Sequence, residues 1–593
     1  MAKQTPNKKN IEKQVVTKPV NAPSKKEVTK DGLNFNLFDF LENHFAKNER
    51  KYLIALLLIA VVFSFFCFDT KISTANDDAL YIEAGFDYSK NFFGYFYTAN
   101  APLYPIVLSF LIRIFGVNLI ALKMFSILFF ALGIYFFFKA FRTRIPYIIL
   151  IPALFIVVIN FPFLMYASLT YAETFSLFIM GLTFYYLFKI FDKLKSESLT
   201  ITDKIPMYLA IGGLVFLQMM TRNVALIFIG IVFLYFVYQK KIIDAIGSVL
   251  AFGTYYFIYK LVLKFIWKLD GSQFEAQSRL MFQKDAYNAS LGKENFSGFI
   301  DRFFTNAQIY ISSRFMYVLG FREEMSPNNL ILTLVGVGLI AWAFILMWRK
   351  KQDLLMFTSL YFISFLAVTF LTLHTSWGQT RLIMIYLPLI LFSLFYILYY
   401  YGSINSMLQF ILPLFVVVLF FSGISATSKK IANRLPIFID NMTDNPYAGY
   451  TSDWMNYIAM SKWCGENMPK EDYIACRKPP MSFVFSSGRK FYGIYNVPAQ
   501  DADSLLTPLK QQKVTHIFTS ELRLDPDRYI ENQYINTVQR YMYNIVQKYP
   551  NAFEFMHREG DIEKSDLYKI NWTYIDSLKS AMLTKPLQPV LTK

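Results

Sequence analysis

Eleven apolar segments run through residues 52–424, most of them about as long as a bilayer is thick, with short turns between them. A helix needs about 20 apolar residues to cross the hydrocarbon core. The pattern therefore restricts the chain to a polytopic α-helical membrane protein. Composition agrees, with 55% hydrophobic and 17% charged residues, against about 25% charged in soluble domains. The expected spans are 52–68, 118–140, 145–163, 173–190, 206–221, 224–238, 242–262, 329–348, 354–373, 381–400 and 407–424. The 62 Phe and 40 Tyr are expected mostly as lipid-facing rings and interfacial belts.

Charge orients the spans. A net charge of +17 on a soluble protein would suggest nucleic acid. Here Lys and Arg gather in the N-terminal tail and in the turns Arg142–Arg144, Lys189–Lys195, Lys240–Lys241 and Arg349–Lys351. That is the positive-inside pattern, and it excludes nucleic acid as a partner. The uncharged turn at 401–406 is the exception. The N-terminus is thereby expected in the cytoplasm, and an odd number of spans puts the C-terminal piece outside.

The expected division is a cytoplasmic tail (1–50), a transmembrane domain (51–427) with a first outer loop at 69–117, and a soluble α/β domain (428–593). The Lys-rich tail is expected to be disordered to about residue 30, with a short amphipathic helix at 35–45 and no cleaved signal. In the C-terminal domain, 472–479, 481–487 and 514–520 read as strands. A helix over 451–467 would be capped by Ser452 or Asp453, and another is expected near 503–512. Of three cysteines, Cys464 and Cys476 could bridge if extracytoplasmic or remain free. With no Cys/His cluster, a zinc site is not expected. The sequons at Asn288, Asn295, Asn441 and Asn571 all fall on the outer side of this arrangement.

The stretch most suited to chemistry is 75–105, ANDDALYIEAGFDYSKNFFGYFYTANAPLYP. It opens on Asp77 and Asp78, turns aromatic, and runs into a segment (101–116) too short to cross and interrupted by Pro105 and Arg113. That segment is expected to lie in the interface. A carboxylate at a cavity mouth can take a proton from a hydroxyl, or it can cap a helix, and the two acids could divide these tasks. Tyr81 follows one helical turn later on the same side, and Tyr104 stands in APLYP. Glu173, Arg222, His374 and Arg381 also fall at outer span ends. Charges there can be merely solvated, yet as a set they could line one polar cavity, with the arginines suited to a phosphate. Asp77, Asp78 and Glu173 are the catalytic candidates. Tyr81, Tyr104, Arg222, His374 and Arg381 are the substrate-binding candidates.

The order of DDALYIEAG, APLYPIVLSFLIRIFG, FFKAFRTR, YAET and a late span beginning at Arg381 resembles the GT-C membrane glycosyltransferases, in particular the protein O-mannosyltransferases and the lipid A aminoarabinose transferases. The resemblance covers about residues 50–425. It implies a sugar donor on a polyprenyl phosphate and a glycan, lipid or protein acceptor. It also implies Asp77 as general base, Glu173 near the sugar, Arg381 near the lipid phosphate, and a setting in a bacterial inner membrane. Two departures stand out. Asn100-Ala101-Pro102-Leu103 replaces the Lys-Pro-Pro-Leu frequent in the lipid A transferases, and the soluble domain is C-terminal rather than inserted. The competing readings are a lipid or sugar transporter, a non-catalytic scaffold of surface-glycan assembly, and a ligase using a pyrophosphate-linked donor. No cofactor is expected, except that the last reading would allow a divalent metal at Asp77, Asp78 and Glu173.

Overall fold

The computed structural model describes residues 36–195, 199–269, 280–285, 291–443 and 445–584. The expected tail to residue 30 and the sequon at Asn288 lie outside them. Each of the eleven expected spans coincides with helix. Among the described residues, eight helices are long and apolar enough to cross a membrane, and a pair bent by 60°, Tyr147–Val158 with Phe161–Ala167, would make a ninth. The other two are Glu49–Phe66, whose first turn carries Glu49, Arg50 and Lys51, and the shorter Asn223–Tyr238. The chain is thus an integral membrane protein.

Helices Leu119–Phe141 and Ala172–Leu194 approach closely through Gly133 and Gly181. A Cβ on Gly181 would lie 3.1 Å from the Gly133 carbonyl oxygen and 2.9 Å from Phe137. Small residues permit this backbone contact where apolar solvent supplies no hydrophobic drive. One end of the bundle gathers the basic turns. There Arg142 pairs with Glu49 at 3.3 Å and Arg144 with Asp192 at 2.5 Å. The amphipathic helix Leu37–Lys47 docks at the same end. Its Glu42 carboxylate accepts the Tyr147 and Ile148 N–H groups, both at 2.9 Å, which satisfies orphan donors of that helix start.

At the opposite end the first loop folds into two packed helices, Asp77–Lys90 and Leu103–Phe115. Gly85 lets them meet, since a Cβ there would stand 2.9 Å from Leu108. The last helix, Ile411–Thr443, runs beyond its apolar part into the C-terminal domain.

That domain is a five-stranded mixed sheet with helices. Its strands are β1 (Tyr473–Cys476), β2 (Phe491–Gly493), β3 (Val514–Ser520), β4 (Phe553–Glu559) and β5 (Ser565–Ile570). The order is β2-β1-β3-β5-β4, with β1 parallel to β2 and β3 and with β5 antiparallel to β3 and β4. Two expectations are corrected. The stretch 481–487 is not a strand but part of a helix, Pro479–Phe485, because Pro479 and Pro480 occupy first-turn positions that need no N–H. The N-cap position of the helix Ser452–Asn467 is Thr451 rather than Ser452 or Asp453, and its hydroxyl donates to the Asp453 carboxylate instead of capping the backbone. Asp453 is instead buried and accepts the Arg523 N–H at 2.9 Å. Cys464 and Cys476 are free and buried, and burial pushes their thiols up to about 12 and about 11.

Of the remaining sequons, Asn295 and Asn571 accept backbone N–H groups from Gly298 and Tyr574, and Asn441 accepts from Thr70. The C-terminal domain sits directly on the first loop. Lys490 bridges Glu83 and Asp87, each at 2.7 Å, and the Met481 N–H donates to Asn76 Oδ1 at 3.1 Å.

Candidate active site

The loop helix begins at Asn76, which has a left-handed backbone (φ 75°). Asn and Asp tolerate that conformation better than most residues. The two acids that follow meet different surroundings. Asp78 is fully buried and closes the turn before it, accepting the Ser73 N–H at 2.8 Å and the Ser73 hydroxyl at 3.1 Å. Burial raises its carboxyl to about 6, against the pull of the Ser73 N–H. Asp77 is 40% exposed and accepts a hydrogen bond from Arg381 Nη2 at 2.6 Å.

Arg381 starts a one-turn helix after the 374–380 loop and links three elements. Besides Asp77, it lies 4.0 Å from Glu173, donates to Gln379 Oε1 at 2.6 Å, and sits over the Tyr171 ring at 5.2 Å. Glu173, in the first turn of Ala172–Leu194, is nearly buried and also accepts from Arg222 Nη2 at 3.0 Å. Its second oxygen, Oε2, has no partner among the described residues. Arg222 occupies the extended break between Ile201–Thr221 and the following turn, and donates to Ser176 at 3.1 Å. The result is an alternating row, Asp77–Arg381–Glu173–Arg222, drawn from four separate stretches of chain. Alternation lets carboxylates and guanidiniums sit side by side with little water, where an unpaired charge would be costly.

Tyr81 and Tyr104 pack edge to face at 5.3 Å, and Tyr104 lies 5.5 Å from Phe175, two residues after Glu173. They form an aromatic wall beside the row. His374 is placed elsewhere. Its Nε2 lies 2.8 Å from the Leu280 carbonyl oxygen and its ring sits edge-on to Trp377, so it braces the chain at Leu280 rather than joining the row. Asp77, Asp78 and Glu173 do not converge as a ligand set either. Arg381 lies between Asp77 and Glu173, and Asp78 is turned toward Ser73. No group of three or more His, Cys, Asp or Glu is placed to hold a metal among the described residues.

Several supporting residues carry no sequence signal of their own. Lys123 is fully buried, and its ammonium donates to the Asp69 carboxylate (2.9 Å) and to the carbonyls of Asp69 (2.8 Å) and Lys71 (2.5 Å). Burial alone would raise the Asp69 carboxyl, but Lys123 and Arg434 hold it below the usual range. The Tyr171 hydroxyl is 2.7 Å from Ser73 Oγ, which ties the Arg381 platform to the Asp78 turn. Arg314, on a π-helical turn (Ile309–Arg314), donates to the Gly378 carbonyl at 2.5 Å, and Glu324 accepts from Thr380 at 2.6 Å. Both hold the loop that delivers Arg381. From the C-terminal domain, Lys478 donates to the Thr74 carbonyl at 3.0 Å. Burial and the neighbouring Arg477 lower its ammonium to about 8, with Asp77 opposing.

No protein-family model matches the sequence, and no curated protein does. Solved structures do resemble the fold. The apo oligosaccharyltransferase of Archaeoglobus fulgidus aligns with TM-score 0.51 at 11% identity, over 90% of this chain and 83% of that one. ArnT from Cupriavidus metallidurans, bound to undecaprenyl phosphate, aligns with TM-score 0.50 at 9% identity, over 88% and 98%. The chain shares its fold with these two structures.

Proposed function

We propose that this protein is a membrane glycosyltransferase that moves a sugar from a polyprenyl-phosphate donor to an acceptor hydroxyl on the extracytoplasmic side. The observation that carries the reading is the Asp77–Arg381–Glu173–Arg222 row, held under the C-terminal domain at the bundle end opposite the basic turns. By the positive-inside rule that end faces away from the cytoplasm. The fold shared with a structure holding undecaprenyl phosphate supports a lipid-phosphate donor.

In this reading the acceptor oxygen attacks the anomeric carbon as the bond to the phosphate oxygen breaks, inverting the centre. The acceptor proton passes to Asp77, the partly exposed carboxylate of the row. The leaving polyprenyl phosphate needs no acid, only cations placed where its charge develops. Arg381 exchanges its Asp77 partner for the phosphate, which frees the base as the donor binds. Glu173, itself held by Arg222, keeps the guanidinium in place. The C-terminal domain limits water access.

The test incubates the purified full-length protein in detergent with a panel of polyprenyl-phosphate sugars and an envelope extract as acceptor source. Free polyprenyl phosphate is the readout. At least one donor should turn over. Binding of the donors with no turnover of any would overturn the reading.

A further inference from the structure

A second polar site shares no lining residue with the row. A cavity of about 560 Å³ opens between the last helix, the 317–323 turn and the bend at Asn160. The turn is fitted against the helix. Gly320 has φ +81°, and a Cβ there would stand 2.8 Å from the Ser422 carbonyl oxygen. Thr427 fastens the helix to the bend by donating to the Ile159 carbonyl at 2.8 Å.

The lining is amphiphilic. Arg322, Lys429 and Lys430 supply positive charge against the single acid Glu323, while Phe161 and Phe421 supply apolar wall. Arg322 is oriented by its bond to the Ser312 carbonyl at 2.9 Å. Asn160, only 3% exposed, donates through Nδ2 to the Val318 carbonyl, which fastens the bend to the turn. Level with the site, the last helix changes from apolar residues (411–424) to Lys429 and Lys430. That change marks a bilayer interface. Phe321 and Phe421 at the same level are exposed, as suits contact with acyl chains.

We infer that this cavity binds the headgroup of an anionic phospholipid, of the phosphatidylglycerol type. The phosphodiester lies among Arg322, Lys429 and Lys430, and the acyl chains leave past Phe321 and Phe421. The site uses none of the residues of the Asp77–Arg381 row, so it stands or falls independently of glycosyl transfer.

The test is native mass spectrometry of the full-length protein in detergent, titrated with dioctanoyl phosphatidylglycerol. The comparison probes are the ethanolamine and choline analogues and inorganic phosphate. One phosphatidylglycerol should be retained. Its affinity should fall at least tenfold in Lys429→Gln/Lys430→Gln, whose exposed side chains make misfolding a minor concern. Equal retention of the ethanolamine or choline lipid would overturn the assignment. So would unchanged affinity in the double variant, or displacement of the lipid by inorganic phosphate.

Discussion

Replacing Arg381 tests how the row acts. In the structure this side chain holds Asp77 at 2.6 Å and Gln379 at 2.6 Å, stands 4.0 Å from Glu173 and rests on Tyr171. In the proposed reaction it is the cation nearest both the base and the departing phosphate. Arg381→Met removes a charge aimed at a developing anion. Loss of one such donor costs about 2.7–4 kcal/mol, or roughly 10²–10³ in rate. Arg381→Lys keeps the charge but loses the planar fork that spans Asp77 and Gln379. Charge-assisted hydrogen bonds contribute about 1.5–3 kcal/mol each, so the Lys variant should be slowed roughly 10–100-fold at about 1.4 kcal/mol per decade. The assay is single-turnover release of polyprenyl phosphate, with size-exclusion profiles confirming that each variant is folded. If Arg381→Met and Arg381→Lys both stay within threefold of wild type, the phosphate role of Arg381 is refuted.

Two further predictions rest on the same geometry. Arg222→Met leaves the nearly buried Glu173 with only the more distant Arg381, and breaking a buried pair costs about 3–5 kcal/mol. The Glu173→Gln/Arg222→Met double variant should recover much of that loss in reversible unfolding, and a double no better than the single would exclude the coupling. Lys478 has a folded pKa of about 8, below the roughly 10.4 of a free lysine. The unfolded chain therefore holds the proton between these values while the folded chain does not, so stability gains from this residue as pH rises from about 8 toward 10 and loses it as pH falls through 8. Lys478→Met should flatten that part of the stability–pH curve, and an unchanged slope would contradict the assignment.

Much of this was visible in the residues. Span positions followed from the length of the apolar runs, and all eleven meet a helix. Asp77, Glu173, Arg222 and Arg381 stood out because charge at the outer ends of apolar helices is conspicuous, and the fold brings them into one row. His374 shared that location, but a tertiary contact with Leu280 decides its use, and spacing does not encode that contact. Lys123 was hidden for the same reason, since two of its partners are main-chain carbonyls 52–54 residues away. The 481–487 stretch reads as a strand by its Phe-Val-Phe content, but the preceding proline pair starts a helix. Strands β2, β4 and β5 went unseen: β2 has only three residues, and β4 is largely exposed, with a burial pattern that does not alternate.

The central claim is that Asp77 takes the acceptor proton. The measurement that tests it is donor turnover by Asp77→Asn beside wild type. A positioned base contributes about 10²–10⁴ to rate, and the amide keeps the side chain's shape. The account predicts turnover by wild type and a loss of at least a hundredfold in Asp77→Asn, with donor binding retained. Equal turnover by the two proteins would contradict it.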